Sequence, residues 1–170
     1  MNPSPFSVTA MPTPSAPATA AAGSDQMPDR TEEAAADCGP ADVPEAHLYH
    51  SGSCNIGPDE IARRRRVGHV GLLASGVLLG GLLATGAPRP ARALVALPAS
   101  LAASGYLQAR LRFCAGFGSR GVFNFGRIGE VHQVDDPQDR TRDRARARQI
   151  GLASLAAGVA AGVIATALPL

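Results

Sequence analysis

The sequence predicts an all-α membrane protein, with a transmembrane helical hairpin, a third transmembrane helix and a disordered N-terminal tail. The first observation behind this prediction is three long runs without Asp, Glu, Lys or Arg. Residues 67–87 and 150–170 are charge-free over 21 positions each, and a weaker run covers residues 93–109. A bilayer core about 30 Å thick needs roughly 20 apolar helical residues to cross it. Two runs therefore meet the length criterion outright, and the third meets it only with its flanking residues.

The second observation is that the apolar residues are mostly small. Trp is absent and aromatic residues make up only 4% of the chain. A soluble core of this size would contain more large aromatic side chains. Small residues suit helices that pack closely in lipid, where no hydrophobic force drives them together. A coding bias would explain the alanine content, but it does not explain the charge-free runs.

The third observation is the placement of arginine, which sets the predicted orientation. Arg63–Arg66 precede the first run, and nine more arginines lie between Arg110 and Arg148. The turn at 88–92 has only two, and nothing basic follows Ile150. The positive-inside rule then predicts a multi-pass protein of the inner (plasma) membrane with a cytoplasmic N-terminus and an external C-terminus.

Composition divides the chain into four parts. Residues 1–45 are rich in Pro and Ala and cannot bury enough surface to offset the entropy of ordering, so they form the disordered tail. The rest is predicted in order as a transmembrane hairpin domain (46–124, with spans at about 67–87 and 91–109), a charged cytoplasmic linker or helix (125–149) and the third transmembrane helix (150–170). An alternative for 91–109 is a re-entrant or buried hairpin.

Local signals predict the helix boundaries. Gly57-Pro58-Asp59-Glu60 begins a helix, because Pro suits the first position and acids suit the positive end of the helix dipole; this helix runs through Ala87. Pro98 should kink the second helix. Asp136-Pro137 starts the last helix, whose part from 138 to 148 is charged on every face and is expected to project into water. Residues 110–136, with five Gly, should form short irregular structure.

Two short motifs stand on either side of the predicted hairpin. The first has a Gly two positions after an Asn, an acid three positions after that Gly, then an Arg and a second Gly at intervals of four: Asn55, Gly57, Glu60, Arg64 and Gly68. The second has an aromatic residue and a Gly three and seven positions after a Cys: Cys114, Phe117 and Gly121. Asn124 follows three positions after this Gly.

With these motifs the chain resembles the YgaP-like transmembrane domain family, a two-helix inner-membrane domain of unknown function, over about residues 55–124. Ile61 and Ala115 depart from the Arg and Pro typical of that family. Some members are fused to rhodanese sulfurtransferase domains, so the resemblance implies a partner of the rhodanese or sulfur-handling type. It implies a location and a fold, and no activity.

Cysteine and histidine supply the candidate reactive groups. Three cysteines and a reducing cytosol argue against a disulfide framework. Cys54 and Cys114 would leave the membrane at one surface beside several arginines, a setting that favours a reactive thiolate. The alternative is that both simply pack the mouth of the hairpin.

The spacing of His47, His50 and Cys54 could supply three metal ligands, with Cys114 or His132 as a fourth. The alternative is a chance cluster before a membrane helix. His69, inside the first span, is either a proton relay or a side chain that reaches the interface. Gly76-x3-Gly80 and Gly158-x3-Gly162 are predicted packing motifs, between the first and third helices or between subunits.

Two function hypotheses follow. The first is a structural or accessory membrane component that forms a homo-oligomer or binds a membrane partner. The alternative is a thiol or metal site at the cytoplasmic face that handles sulfur species or a soft metal ion. A transporter ranks last, because three spans offer no polar pathway. Without a nucleophile–base pair or a phosphate loop, we expect no enzyme and no cofactor. The lipid bilayer is an expected partner and nucleic acid is not, because no binding-fold signature accompanies the arginines.

Overall fold

The computed structural model of the protein describes residues 48–169, so the predicted tail and His47 lie outside the described part. The structure is mostly helical. Its helices are α1 (Pro58–Ala84), the 3-10 helix η1 (Arg89–Val95), α2 (Ala96–Arg110), α3 (Ala115–Arg120) and α4 (Pro137–Ala167). Two short strands, β1 (Val122–Phe123) and β2 (His132–Gln133), pair antiparallel, with Val122 opposite Gln133. The short irregular structure predicted for 110–136 is therefore present.

Helix α1 begins where its local signals predict and ends earlier than expected. Pro58 is its first residue and Asp59 and Glu60 lie in its first turn. The helix stops at Ala84 rather than at Ala87, because Gly86 adopts a φ of +63°. The Gly86 and Ala87 amides donate to carbonyls of the last helical turn, which satisfies groups that the helix end would otherwise leave unpaired.

The second predicted span consists of two helical pieces. Residues Arg89–Val95 form η1, and α2 continues directly from Ala96. The sequence predicted a kink at Pro98. Pro98 is the third residue of α2, within the first turn, where a missing N–H costs little. The irregularity takes the form of the 3-10 helix just before the proline.

Helix α2 lies against α1 through glycine. A Cβ added at Gly71 would stand 2.9 Å from the Ala102 Cα, and one added at Gly105 would stand 2.7 Å from the Gly68 Cα. Real Cβ atoms essentially never come so close to backbone, so only glycine permits this separation. The two helices therefore pack through their backbones, as small-residue faces do in membrane helices.

Helix α2 also lies against α4, again through glycine. A Cβ at Gly158 would clash with Ser100, and one at Gly162 would stand 3.0 Å from the Ala96 Cβ. The Gly158-x3-Gly162 motif thus contacts the second helix, and the predicted contact with the first helix is wrong. At Gly76 and Gly80, nothing else in residues 48–169 comes within 4 Å of the place where a Cβ would stand, so both lie on an open face of α1.

The large apolar side chains lie mostly on the outside of the three long helices. Leu73 and Val77 on α1 and Leu152 on α4 are each more than two-thirds exposed. By length and composition, helices α1 and α4 could each cross a membrane. Only 17% of the most apolar stretch of α1 and 28% of that of α4 are buried inside the protein. The interior of the helix contacts is instead built from Gly, Ala and Ser.

The first half of α4 differs from expectation. The sequence predicted that residues 138–148 are charged on every face and project into water. Asp143 is instead fully buried, and Ala147 and Ile150 pack with Phe113 in a small core at this end of the molecule. One face of the segment is therefore buried. Asp143, Ala147 and Ile150 recur at helical spacing and form this face, although arginines stand between them in the sequence.

Candidate functional site

The segments before α1 and after α2 meet through the side chain of Asn55. Its Nδ2 donates to the Cys114 carbonyl at 3.1 Å, and its Oδ1 accepts from the Cys114 amide at 2.6 Å. Asn55 and Cys114 are both buried, at 0% and 1% exposure. An amide side chain presents one acceptor and two donors, which matches a backbone N–H and C=O. This pair closes one end of the α1–α2 hairpin.

An ion pair whose acidic partner is buried lies next to this closed end of the hairpin. The carboxylate of Glu60, 1% exposed, accepts from Arg63 at 3.3 Å and from Arg64 at 3.4 Å. Glu60 and Arg64 are four residues apart and therefore lie on the same face of α1. The same Arg64 guanidinium donates from Nη2 to the Cys114 sulfur at 3.0 Å. Arg64 also lies 6.0 Å from the centre of the Phe117 ring. We call Asn55, Glu60, Arg64, Cys114 and Phe117 the mouth cluster.

The sulfur of Cys114 receives two hydrogen-bond donors. Besides Arg64, the Phe117 amide points at it from 3.4 Å, because Cys114 is the N-cap of α3. Sulfur is a weak acceptor when it is a thiol and a stronger one when it is charged. The arrangement is complementary to a negatively charged sulfur. With 1% exposure, however, that sulfur meets a reagent only after the mouth cluster opens.

The motif glycines each sit where a side chain does not fit. A Cβ at Gly57 would stand 2.8 Å from the Phe125 Cα, and one at Gly68 would stand 3.1 Å from the Tyr106 ring. Gly121 ends α3 with a φ of +69°, which glycine adopts without strain. The eight positions singled out from the two motifs therefore gather around one end of the hairpin and its packing seam.

Asn124 completes the closure on the other side. Its backbone amide donates to the Asn55 backbone carbonyl at 3.0 Å, and its backbone carbonyl accepts from the Gly57 amide at 2.7 Å. Asn124 is fully buried, and its Oδ1 has no hydrogen-bond partner within residues 48–169. Short backbone pairing thus ties the residues ahead of α1 to those after α3.

A second buried polar contact was not anticipated from the sequence. Asp143 of α4 accepts from the Tyr49 hydroxyl at 2.9 Å and from the Gly52 amide at 2.7 Å. Burial raises the pKa of Asp143, and burial followed by the hydrogen bond to Asp143 raises the pKa of Tyr49 strongly. The only sequence signal was the helical spacing of Asp143 with Ala147 and Ile150, which the surrounding arginines obscured.

The predicted cysteine pair is not a pair of thiols. Cys54 is fully buried and is disulfide-bonded, so the argument against a disulfide is wrong for this residue. An odd cysteine count still allows one bond, and a disulfide in the cytosol is rare rather than forbidden, so neither reason excluded this one. Cys114 is the free cysteine of the described part.

The predicted metal site is not assembled in the described residues. His47 lies outside them, His50 is exposed in a turn closed by hydrogen bonds to Cys54, and His132 stacks on Phe123 at 5.5 Å. Between 48 and 169, no group of three or more His, Cys, Asp or Glu side chains is placed to hold a metal ion.

His69 has a specific partner. Its Nδ1 lies 2.7 Å from the Tyr106 hydroxyl, and the two rings meet edge to face. The contact joins α1 to α2 near the arginine-rich end. A single exposed pair of this kind is no chain of proton carriers, so it does not favour the proton relay over the alternative of a side chain that reaches the interface.

Comparison with known proteins identified no relative. No protein-family model, no curated protein and no solved structure matched the chain.

Proposed function

We propose that the protein is a small integral protein of the inner (plasma) membrane that crosses the bilayer three times and serves as a structural or accessory component. The observation that carries this proposal is the inverted distribution of side chains. Large apolar residues cover the outside of α1 and α4, while Gly, Ala and Ser form the contacts between helices. A soluble protein of this size would hide such a surface.

The hydrogen bonds of the mouth cluster support a third crossing. Asn55 lies just before α1, and its partner Cys114 lies just after α2. If α1 crosses the bilayer, the chain has to return between residues 85 and 113, because bonded residues lie on one side. The segment is long enough: η1 and α2 together run for 22 residues, Arg89–Arg110.

The charges support the orientation. Arg63–Arg66, the end of α2 and the first half of α4 meet at one end of the three helices, and only Arg89 and Arg92 lie at the other. Cytoplasmic segments carry the excess of arginine in inner-membrane proteins. The N-terminus and the 110–149 segment are therefore cytoplasmic, and the 85–88 turn and Leu170 are external.

The open glycine face of α1 supports self-association. Gly76 and Gly80 have open space where a Cβ would stand, so a second helix can approach this face closely. In a reconstituted sample, Gly76→Leu with Gly80→Leu should abolish cross-linked dimers, whereas Gly151→Leu should not, because Gly151 is equally open but belongs to α4. Dimers that survive the double change would remove this face from the proposal and leave a different membrane partner as the occupant.

A second candidate function is thiol chemistry at Cys114, and the Arg64–Cys114 contact favours it. A guanidinium held by buried Glu60 points at a free sulfur at the cytoplasmic end, where sulfur species from a partner would arrive. In an Asn55→Ala background, which opens the mouth cluster, Arg64→Gln should slow alkylation of Cys114 by an anionic thiol reagent several-fold, and Arg63→Gln should leave the rate nearly unchanged. A rate that is unaffected by Arg64→Gln would reduce Cys114 to a packing residue.

A further inference from the structure

Two outward-facing rows of residues on different helices share one spacing. Each starts with an arginine and continues with three apolar residues, four, seven and eleven positions later. We call them the α1 ridge (Arg66, Val70, Leu73 and Val77) and the α4 ridge (Arg148, Leu152, Leu155 and Val159). Positions at these intervals lie on one face of an α-helix. The same surface is therefore built twice.

Both ridges face outward along their whole length. Their apolar members range from 52% exposed at Val159 to 76% exposed at Val77. Arg66 and Arg148 are also exposed, and the side chain of neither forms a hydrogen bond or ion pair with another residue of the described part. Arg64 and Arg142, by contrast, are held by Glu60 and Asp139. The ridge arginines are thus charges without a protein partner within residues 48–169.

The two ridges run in the same direction along their helix axes, and their arginines lie at the same end of the molecule. Helices α1 and α4 both run antiparallel to α2, which separates them. Gly68, two residues after Arg66, lies against Gly105. Ile150, two residues after Arg148, belongs to the small core against which Leu107 packs. Since Gly105 and Leu107 are neighbours on α2, the two arginines lie within about one helical turn of the same level.

An arginine above an apolar row is complementary to a phospholipid with net negative charge. The planar guanidinium matches a phosphate with two parallel N–H bonds, and the apolar row matches an acyl chain. Further exposed arginines stand beside each ridge, Arg65 on α1 and Arg144 on α4. Arg144 and Arg148 are like charges at i,i+4 spacing, which repel unless an anion lies between them. A zwitterionic headgroup carries its own cation and offsets this attraction.

We propose that each ridge binds one anionic phospholipid of the phosphatidylglycerol type, with its phosphate at Arg66 or Arg148 and an acyl chain along the apolar row. The inference rests on the proposed function, because the ridges meet lipid only if α1 and α4 lie in a bilayer. The double use of one spacing makes the lipid a bound partner on two faces, beyond the general attraction of basic segments to an anionic leaflet.

The test compares lipid selectivity in vesicles of phosphatidylcholine with about one-tenth phosphatidylglycerol. The full chain is reconstituted with trace spin-labelled phosphatidylglycerol or spin-labelled phosphatidylcholine, and the motionally restricted fraction of each label is measured. Wild type should prefer the anionic label by about fivefold, the factor that one arginine near an anionic surface supplies. Arg66→Gln with Arg148→Gln should bring the preference close to one. Arg89→Gln, an exposed arginine at the other end, should leave it unchanged.

The outcomes separate this inference from the proposed function. Equal restriction of both labels by wild type would show an inserted protein without the lipid sites and would overturn the inference. A preference that survives in the double variant, or that Arg89→Gln removes equally, would overturn it too. If neither label is restricted, the chain does not sit in the bilayer, and the proposed function fails first.

Discussion

Arg92 donates from Nη1 to the Leu168 carbonyl at 3.0 Å and so joins the middle of η1 to the end of α4. Arg92 is only 4% exposed. The last carbonyls of a helix lack partners within it and carry the negative end of its dipole, so a guanidinium is well placed there. The contact puts the far ends of the second and third long helices at one level.

Replacing Arg92 should loosen this end of the bundle. Arg92→Gln removes the charge at the α4 terminus and should lower the free energy of unfolding in detergent by about 1–2 kcal/mol. The matched change Arg89→Gln concerns an exposed arginine in the same 3-10 helix and should have little effect. Equal losses for both variants in a chemical unfolding series would show that the hydrogen bond to Leu168 contributes nothing of its own.

Replacing Asn55 should open the mouth cluster. Asn55→Ala leaves the buried amide of Cys114 without a partner, while the Cys114 carbonyl keeps its hydrogen bond from the Gly118 amide. The change should cost about 1–3 kcal/mol, the cost of one unpaired buried group. Cys114 should then react faster with a small alkylating reagent, because its sulfur gains access to solvent. Unchanged alkylation in Asn55→Ala would contradict the role of this side chain in closing the hairpin.

Larger residues in the α1–α2 seam should separate the helices. Gly105→Leu places a side chain where the Gly68 backbone lies and should destabilise the hairpin by about 1–3 kcal/mol or prevent it from forming. Gly81→Leu adds the same bulk to an open face of α1 and should be tolerated. Protease resistance of the inserted protein measures both, and equal resistance of the two variants would refute the close contact.

The Tyr49–Asp143 contact should limit stability at alkaline pH. Burial, followed by the Asp143 hydrogen bond, raises the pKa of Tyr49 above its ordinary value of 10.0. The unfolded phenol loses its proton near pH 10 while the folded one keeps it, so the free energy of unfolding falls as the pH rises past about 10. Tyr49→Phe should remove this part of the loss. An identical alkaline limb in Tyr49→Phe would place its origin elsewhere.

Asp143 shifts in the same direction for a related reason. Burial raises its pKa, so the folded carboxyl holds its proton above the pH at which the unfolded one releases it. Its effect on stability is therefore most favourable below the ordinary carboxyl range and declines as the pH rises through the raised pKa. The hydrogen bonds from the Gly52 amide and the Tyr49 hydroxyl lower the pKa and offset part of this rise, and neighbouring Asp139 adds to it. Mild acid is not expected to release the contact.

The sequence predicted the parts of this structure that depend on neighbours in the chain. Pro58 after Gly57 and Pro137 after Asp136 begin helices because proline and a short cap act within one turn. The length of the charge-free runs likewise identified α1 and α4. The predicted end of α1 lies three residues beyond the observed end. The helix ends before Gly86, which adopts a positive φ, and the sequence alone does not show which glycine will do so.

The contacts that build the mouth cluster depend on residues far apart in the chain. Asn55 was singled out by a motif, but nothing nearby in the sequence specifies that its side chain pairs with the backbone of Cys114, 59 positions away. The burial of Asp143 could not be predicted, because the arginines around it make every face of the helix look exposed. Only the segment that packs against the helix decides which face is buried. The partner, the turn at Tyr49 and Gly52, lies 91 or more positions earlier.

The side of the membrane occupied by the segment around Gln138 tests the central claim most directly. With three crossings, a reporter inserted beside Gln138 lies in the cytoplasm, and one fused after Leu170 lies outside. With α1 and α4 as the sole crossings, both locations are reversed. A cytoplasmic Gln138 reporter with an external C-terminal reporter is the expected result. An external Gln138 reporter, in a protein whose N-terminal reporter is cytoplasmic, would contradict the returning crossing through η1 and α2, and with it the closure of the hairpin by Asn55 and Cys114.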